Sequence, residues 1–224
     1  MAYLAAIVSD IFTTFRQQGH RLAGEGVTRQ QHALQCATLA GDAGEPGDII
    51  AACLLHDLGH LLVNPGEDDA VDGMDPRHEL AGANYLASCF DPCVVEPIRL
   101  HSTAKRYLCW RESGYYRGLT EASRRRLALH GGAMTDAEAF EFEVHPHFSA
   151  AVRVRRYDDR GRIPGFLTPE LEVFRPLLLA LAKQAQGQRP ADSCTPVHRT
   201  SRGHRGHVSG SVVSATELAW CAER

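Results

Sequence analysis

Apolar residues recur at helical spacing along most of the chain, and the two-residue alternation of a half-buried strand is hard to find. Thr28 to about Ala40 is predicted to be a helix opened by a capping box, with Thr28 as N-cap and Gln31 reaching back. A second helix is predicted over Gly47 to Leu58. Ile49, Ile50, Ala51, Ala52, Leu54 and Leu55 make it apolar on every side, the pattern of a central helix, and Gly59 is a natural place for it to stop or bend. Asp75-Pro76 supplies an N-cap and a first-position proline for a third helix reaching about Phe90, with His78 near its start. A fourth, beginning near Pro97, puts Ile98, His101 and Lys105 on one stripe. Further helices are predicted from Thr120 to His130, closed by Gly131-Gly132; from Thr135 to Val144, ended by Pro146; from Pro146 to about Asp159; and from Pro169 to about Gln186. The fold class expected is all-α.

From Gly187 onward the composition turns to Arg, Ser, Gly, His and Pro, which cannot bury enough apolar surface to order itself. The expected organisation is one domain over 1–186 and a disordered tail over 187–224. His198, His204 and His207 in that tail fit solvated disorder better than a metal tract.

Composition narrows the function. At 224 residues and 44% hydrophobic content the chain suits a single domain with a real core. Its 24 basic residues against 27 acidic ones leave a net charge of −3, so there is no electrostatic case for nucleic acid or an anionic membrane, and the partner expected is small. No window approaches the ~18 apolar residues of a membrane span, and Met1 to Gly19 lacks the layout of a signal peptide, so a cytoplasmic location is expected. Seven cysteines, odd in number and often at apolar helix positions, read as reduced, mostly buried thiols.

The candidate chemistry lies in AACLLHDLGHLL, Ala51 to Leu62, where an apolar run meets His56-Asp57 and then His60. A lone histidine on an apolar face is more often a hydrogen-bonded core residue. An adjacent His-Asp pair at a helix end is different, because burying a carboxylate after such a run is costly unless a cation compensates it. One ion would be served by His32, His56, Asp57 and Asp158. His78 and His101 remain, and with the second oxygen of Asp57 as a bridge they could hold another ion a few ångström away.

The order His32, His56-Asp57, Asp158 resembles the H…HD…D signature of the HD-domain superfamily, a helical fold that includes many metal-dependent phosphohydrolases. The added His78 and His101, with HSTAKRYL (His101 to Leu108) and VRRYDD (Val154 to Asp159), are similar to its smaller branch of mixed-valent di-iron oxygenases. That branch includes myo-inositol oxygenase and an oxygenase that cleaves the carbon–phosphorus bond of 2-amino-1-hydroxyethylphosphonate; the run from about Glu25 to Asp159 looks closer to the second.

The resemblance implies two iron ions, one held by His32, His56, Asp57 and Asp158 and the other by Asp57, His78 and His101. It implies a small α-hydroxyphosphonate and dioxygen as partners, with phosphate and a carboxylic acid as products. His60, Lys105, Ser123 and Glu25 match positions that contact substrate, Lys105 as a clamp for the phosphonate and Glu25 as the group that meets a substrate amine. Two positions depart from the pattern. Leu22 stands where relatives carry a tyrosine that helps close the site, and His130 where a glutamine is expected.

The alternative is a metal-dependent phosphohydrolase using an ion such as Mn or Zn on a phosphate ester or nucleotide, with His78 and His101 outside the ligand set. A third reading, a sensor that binds without turnover, is weaker because every ligand position is filled by a competent residue. The acidic loop Asn64 to Met74 could cover the site or meet a cationic head group.

Overall fold

The computed structural model describes residues 2–63 and 77–184. The amphipathic helix α1 (Ala2–Gln18) buries Leu4, Ile7, Val8, Ile11, Phe12 and Phe15, a stripe at i, i+3, i+4, i+7, i+8 and i+11. A short antiparallel hairpin follows, β1 (Leu22–Gly24) and β2 (Val27–Thr28), and the other described residues after it are helical or irregular. The fold is all-α, as the pattern predicts.

Helix α2 (Arg29–Asp42) starts where predicted: Thr28 Oγ1 accepts from the Gln31 N–H, and the Gln31 side chain accepts from the Thr28 N–H. The apolar helix α3 (Gly47–Leu55) stops earlier than expected. A turn at His56-Asp57 separates it from α4 (Leu58–Val63), so the break falls on the ionisable pair rather than at Gly59. Gly59 has another role. A Cβ there would overlap the His78 carbonyl, and Gly82 faces it across the same contact, so glycine allows α4 to lie directly on α5 (His78–Leu86). That helix ends at Leu86, short of the predicted Phe90.

Helix α6 (Pro92–Arg111) begins before the predicted start, because Asp91-Pro92 supplies the N-cap and first-position proline. It continues through Pro97, giving up one intrahelical bond in its second turn, while Val94, Val95 and Ile98 are buried around that position. The short α7 (Tyr115–Gly118) leads to α8 (Glu121–Leu129), capped by Thr120, and α9 (Asp136–Glu143), opened by a second capping box between Thr135 and Glu138. Helix α10 (Phe148–Arg160) packs along α6, and a 3-10 turn (Leu171–Phe174) precedes α11 (Arg175–Gln184) where a single helix from Pro169 was expected.

One core gathers α1–α6, α10 and α11 around Phe12, Leu54, Leu55, Leu58, Leu86 and Ile98. A smaller one lies beneath α9, where the rings of Tyr107, Phe142 and Phe148 meet edge to face with centroids 5.0 to 5.7 Å apart. Among the described residues no helix is long and apolar enough to cross a membrane. The Asp75-Pro76 start, the acidic loop and the 187–224 tail lie outside the described residues.

Candidate metal centre

Four helices and one turn direct imidazoles and carboxylates to one buried spot: His32 from α2, His56 and Asp57 from the α3–α4 turn, His78 from the start of α5, His101 from α6 and Asp158 from α10. His32 and His56 have no exposed surface, and His101 and Asp158 are each 2% exposed.

Three of the imidazoles are oriented from behind. Nδ1 of His32 meets the Gly161 carbonyl at 2.8 Å, that of His56 the Cys53 carbonyl at 2.9 Å, and that of His101 the Ile98 carbonyl at 2.7 Å. Carbonyls only accept, so each Nδ1 carries the proton, and in the neutral ring Nε2 is left with a bare lone pair. The Nδ1 of His78 lies 3.5 Å from Glu79 Oε2, so an acidic neighbour stands behind this ring as well. This is the support that metal-binding imidazoles receive.

The Nε2 atoms then face one another in two pairs. His32 and His56 approach to 3.2 Å, and His78 and His101 to 3.2 Å. Two bare lone pairs at that distance repel unless a cation lies between them, and nitrogens bonded at about 2.1 Å to one ion, side by side, fall about 3 Å apart. Asp57 stands between the pairs. Its Oδ1 is 3.5 Å from His56 Nε2, 3.4 Å from His78 Nε2 and 3.9 Å from His101 Nε2, while Oδ2 is 3.7 Å from His32 Nε2. Asp158 Oδ1 joins the first pair, 3.2 Å from His32 Nε2 and 3.7 Å from His56 Nε2. Two nitrogens and two carboxylates can thus surround one point, and two nitrogens and the shared carboxylate another; this donor chemistry fits a divalent or trivalent first-row ion.

The charge balance keeps the donors available. Burial, then the positive field of Arg162, lowers His32, while His56 is raised against its burial by Asp57 and Asp158, so that pair shares at most one proton. Burial and the neighbouring imidazoles, His78 first, hold His101 and His60 well below the ordinary range and keep them neutral. Although burial opposes it, Asp57 is held well below the usual carboxylate range by His56, His78 and His60, and Asp158 by Arg155 and Arg162.

His60 stacks on His78 with ring centroids 3.8 Å apart and planes 14° from parallel, so it borders the second pair. Lys105, one turn beyond His101, is half-buried; burial, then Arg155, pushes its pKa down to about 8. Ser123 is the third residue of α8, and its N–H donates to Thr120 Oγ1. It is half-buried and lies one turn before Arg126 on the same face of α8. Glu25 stands exposed at the hairpin tip with φ 56°, outside the histidine cluster, and Leu22 on the same hairpin is also exposed. His130 is the C-cap of α8.

Sequence patterns missed a surrounding layer of arginines. Arg29 Nη1 is 3.5 Å from Asp57 Oδ2, Arg162 Nη2 is 2.9 Å from Asp158 Oδ1, and Arg155 pairs with Asp158 Oδ2. Cys36 also borders the first pair, its Sγ 3.7 Å from His32 Nδ1, and its thiol donates to the Tyr157 carbonyl. Burial first, then the Asp158 charge, raises this thiol well above its ordinary pKa, so it forms a neutral wall.

Fold and site together define a helical protein with a His/Asp metal-binding cluster. The comparisons agree: the family model described as HD domain matches residues 29–140. Hydroxymethylphosphonate dioxygenase of Gimesia maris is 42% identical over 168 residues, covering 75% of this chain and 84% of that protein. A second relative, [1-hydroxy-2-(trimethylamino)ethyl]phosphonate dioxygenase (glycine-betaine-forming) of Leisingera caerulea, is 37% identical over 182 residues, covering 81% of this chain and 93% of that one. The chain belongs to the HD-domain family, in the oxygenase branch that the resemblance implied, and is an oxidoreductase.

Proposed function

We propose that this enzyme uses two iron ions and dioxygen to cleave the carbon–phosphorus bond of a small α-hydroxyphosphonate. The observation that carries the reading is the position of Asp57 between two pairs of facing Nε2 atoms, each pair 3.2 Å apart. A hydrolytic site of four ligands would leave His78 and His101 outside the ligand set, whereas here their Nε2 atoms face each other beside Asp57. The substrates named for the two relatives both carry a hydroxyl on the carbon bonded to phosphorus, which supports the substrate class.

The overall change balances with dioxygen alone. A hydroxyphosphonate R–CH(OH)–PO3 and one O2 give a carboxylate R–COO and phosphate, with the carbon oxidised by four electrons and both oxygen atoms reduced. Bound iron would supply the dioxygen binding and one-electron chemistry that side chains lack.

The protein's residues do the rest. His32, His56, Asp57 and Asp158 would hold one ion, and Asp57, His78 and His101 the other. The Lys105 ammonium, one turn past His101, holds a phosphonate oxygen. His60, kept neutral by burial and the adjacent His78, hydrogen-bonds the same group. Ser123 adds a hydroxyl from α8, and Glu25 from the hairpin meets a substrate amine where one is present. The buried setting keeps water from the reacting carbon.

The test is anaerobic reconstitution with iron, then measurement of phosphate released from α-hydroxyphosphonates with and without dioxygen. Release only with dioxygen is expected. Release without it, or turnover of phosphate esters with manganese instead, would mean hydrolysis and overturn the reading.

A further inference from the structure

Tyr115 belongs to the short α7, outside the cluster of metal-binding side chains, yet its hydroxyl begins a hydrogen-bonded chain that ends on a candidate ligand. The Tyr115 O–H donates to Asp159 Oδ2 at 2.5 Å. Asp159 Oδ1 accepts from Arg155 Nε at 3.0 Å and from its Nη2, and Nη1 of the same guanidinium pairs with Asp158 Oδ2. Arg155 is 2% exposed, and all three of its nitrogens are used on two successive carboxylates. The other oxygen of Asp158 is 2.9 Å from Arg162 Nη2 and 3.2 Å from His32 Nε2. Arg156 fastens the same corner from outside, pairing with Glu112 and lying 5.8 Å from the Tyr115 ring centroid.

A carboxylate with an arginine on each oxygen cannot rotate freely, so the direction of Asp158 Oδ1 depends on where Arg155 is held. Arg155 in turn is held by Asp159, and Asp159 by Tyr115. We propose that Tyr115 and Asp159 are positioning residues for the metal centre: acting through Arg155, they fix the Asp158 carboxylate against His32 and set how tightly the His32–His56–Asp158 side keeps its ion. This rests on Asp158 being a ligand, as in the proposed function.

The test loads the full chain anaerobically with iron(II) and follows retention against the chelator ferrozine in the wild type, Tyr115→Phe, Asp159→Asn and Tyr107→Phe. The last variant is the control, because Tyr107 also donates its hydroxyl to a carboxylate, Glu143 Oε1 at 2.7 Å, but outside the site. The expected result is that one of the two retention phases weakens several-fold or more in Tyr115→Phe and in Asp159→Asn, up to the about 10- to 100-fold that losing a direct outer partner of a ligand costs. The other phase and Tyr107→Phe stay at wild-type values. Unchanged retention in Tyr115→Phe, equal weakening of both phases, or the same loss in Tyr107→Phe would overturn the proposal. Should Tyr115→Phe fail to fold, Asp159→Asn decides by the same criteria. A wild type that takes up a single ion would sink the two-iron reading, while the retention of that ion would still decide the role of Tyr115.

Discussion

Nε2 of His32 and Nε2 of His56 lie 3.2 Å apart with each Nδ1 committed to a backbone carbonyl. Two neutral imidazoles so oriented present lone pair to lone pair, and the fold holds them there with buried walls on every side. In the metal-free protein this pair shares at most one proton, and an ion in its place meets both lone pairs together with Asp158. We predict that stoichiometric iron(II) or manganese(II) raises the thermal midpoint, with about 2.7 kcal/mol of stabilisation at a free ion concentration 100 times the dissociation constant. Thermal melts with and without chelator measure this.

Replacing His56 by Ala removes a proposed ligand and leaves His32, Asp57 and Asp158 around a void. Iron retention should fall by more than about 100-fold, beyond the effect of losing an outer partner, and phosphate release should fall with it. Metal analysis after gel filtration and an activity assay check both.

Gly59 has no room for a side chain, because its Cβ would meet the His78 carbonyl. Gly59→Ala should push α5 off α4, costing about 1–3 kcal/mol as other overpacking does. Since His78 opens α5, the variant should also lose affinity on the His78–His101 side before the other. Urea denaturation gives the first number and iron retention the second.

Burial brings Lys105 down to about 8. If its ammonium holds the phosphonate, kcat/KM should decline as pH rises through about 8, and Lys105→Met should lose most of the activity along with this limb. The stability sign is opposite. Between about 8 and the ordinary lysine value of about 10.4 the unfolded chain binds more protons than the folded one, so Lys105 makes stability rise with pH there. A pH series of kcat/KM and of denaturation midpoints separates the two effects.

Thr135 caps α9 through Glu138, which also pairs with Arg106 at 2.6 Å. Thr135→Ala should cost about 1 kcal/mol of stability. Because α9 supplies none of the clustered donors, iron retention and activity should stay unchanged, as a denaturation curve and an assay would show.

Much of this was legible in the chain because the signals are local. The Thr28–Gln31 capping box announces α2, and the His56-Asp57 pair after an apolar run announces a compensating cation. His78, His101 and Asp158 stand out as ionisable groups on otherwise apolar helix faces, the resemblance orders them into two sets, and the fold brings them to the same spot. Signals that compete at short range were harder to read. Asp91-Pro92 and Pro97 both mark helix starts, and only burial of Val94, Val95 and Ile98 decides for the first. The stripe Leu4, Ile7, Val8, Ile11, Phe12 and Phe15 is an amphipathic pattern that itself signals α1, which the expected element order lacks. The arginines at 29, 155 and 162 were not legible, since charged residues on a helix resemble a solvated face until the fold buries them beside Asp57 and Asp158.

The proposed two-iron centre requires Asp57 to be the carboxylate shared by both ions. Anomalous diffraction at the iron edge from crystals of the anaerobically loaded protein tests it most directly. We predict two iron peaks about 3.5–4 Å apart, the usual two-metal spacing, with Asp57 between them, His32, His56 and Asp158 around one and His78 and His101 around the other. A single peak at His32, His56, Asp57 and Asp158, with His78 and His101 unmetallated, would contradict it.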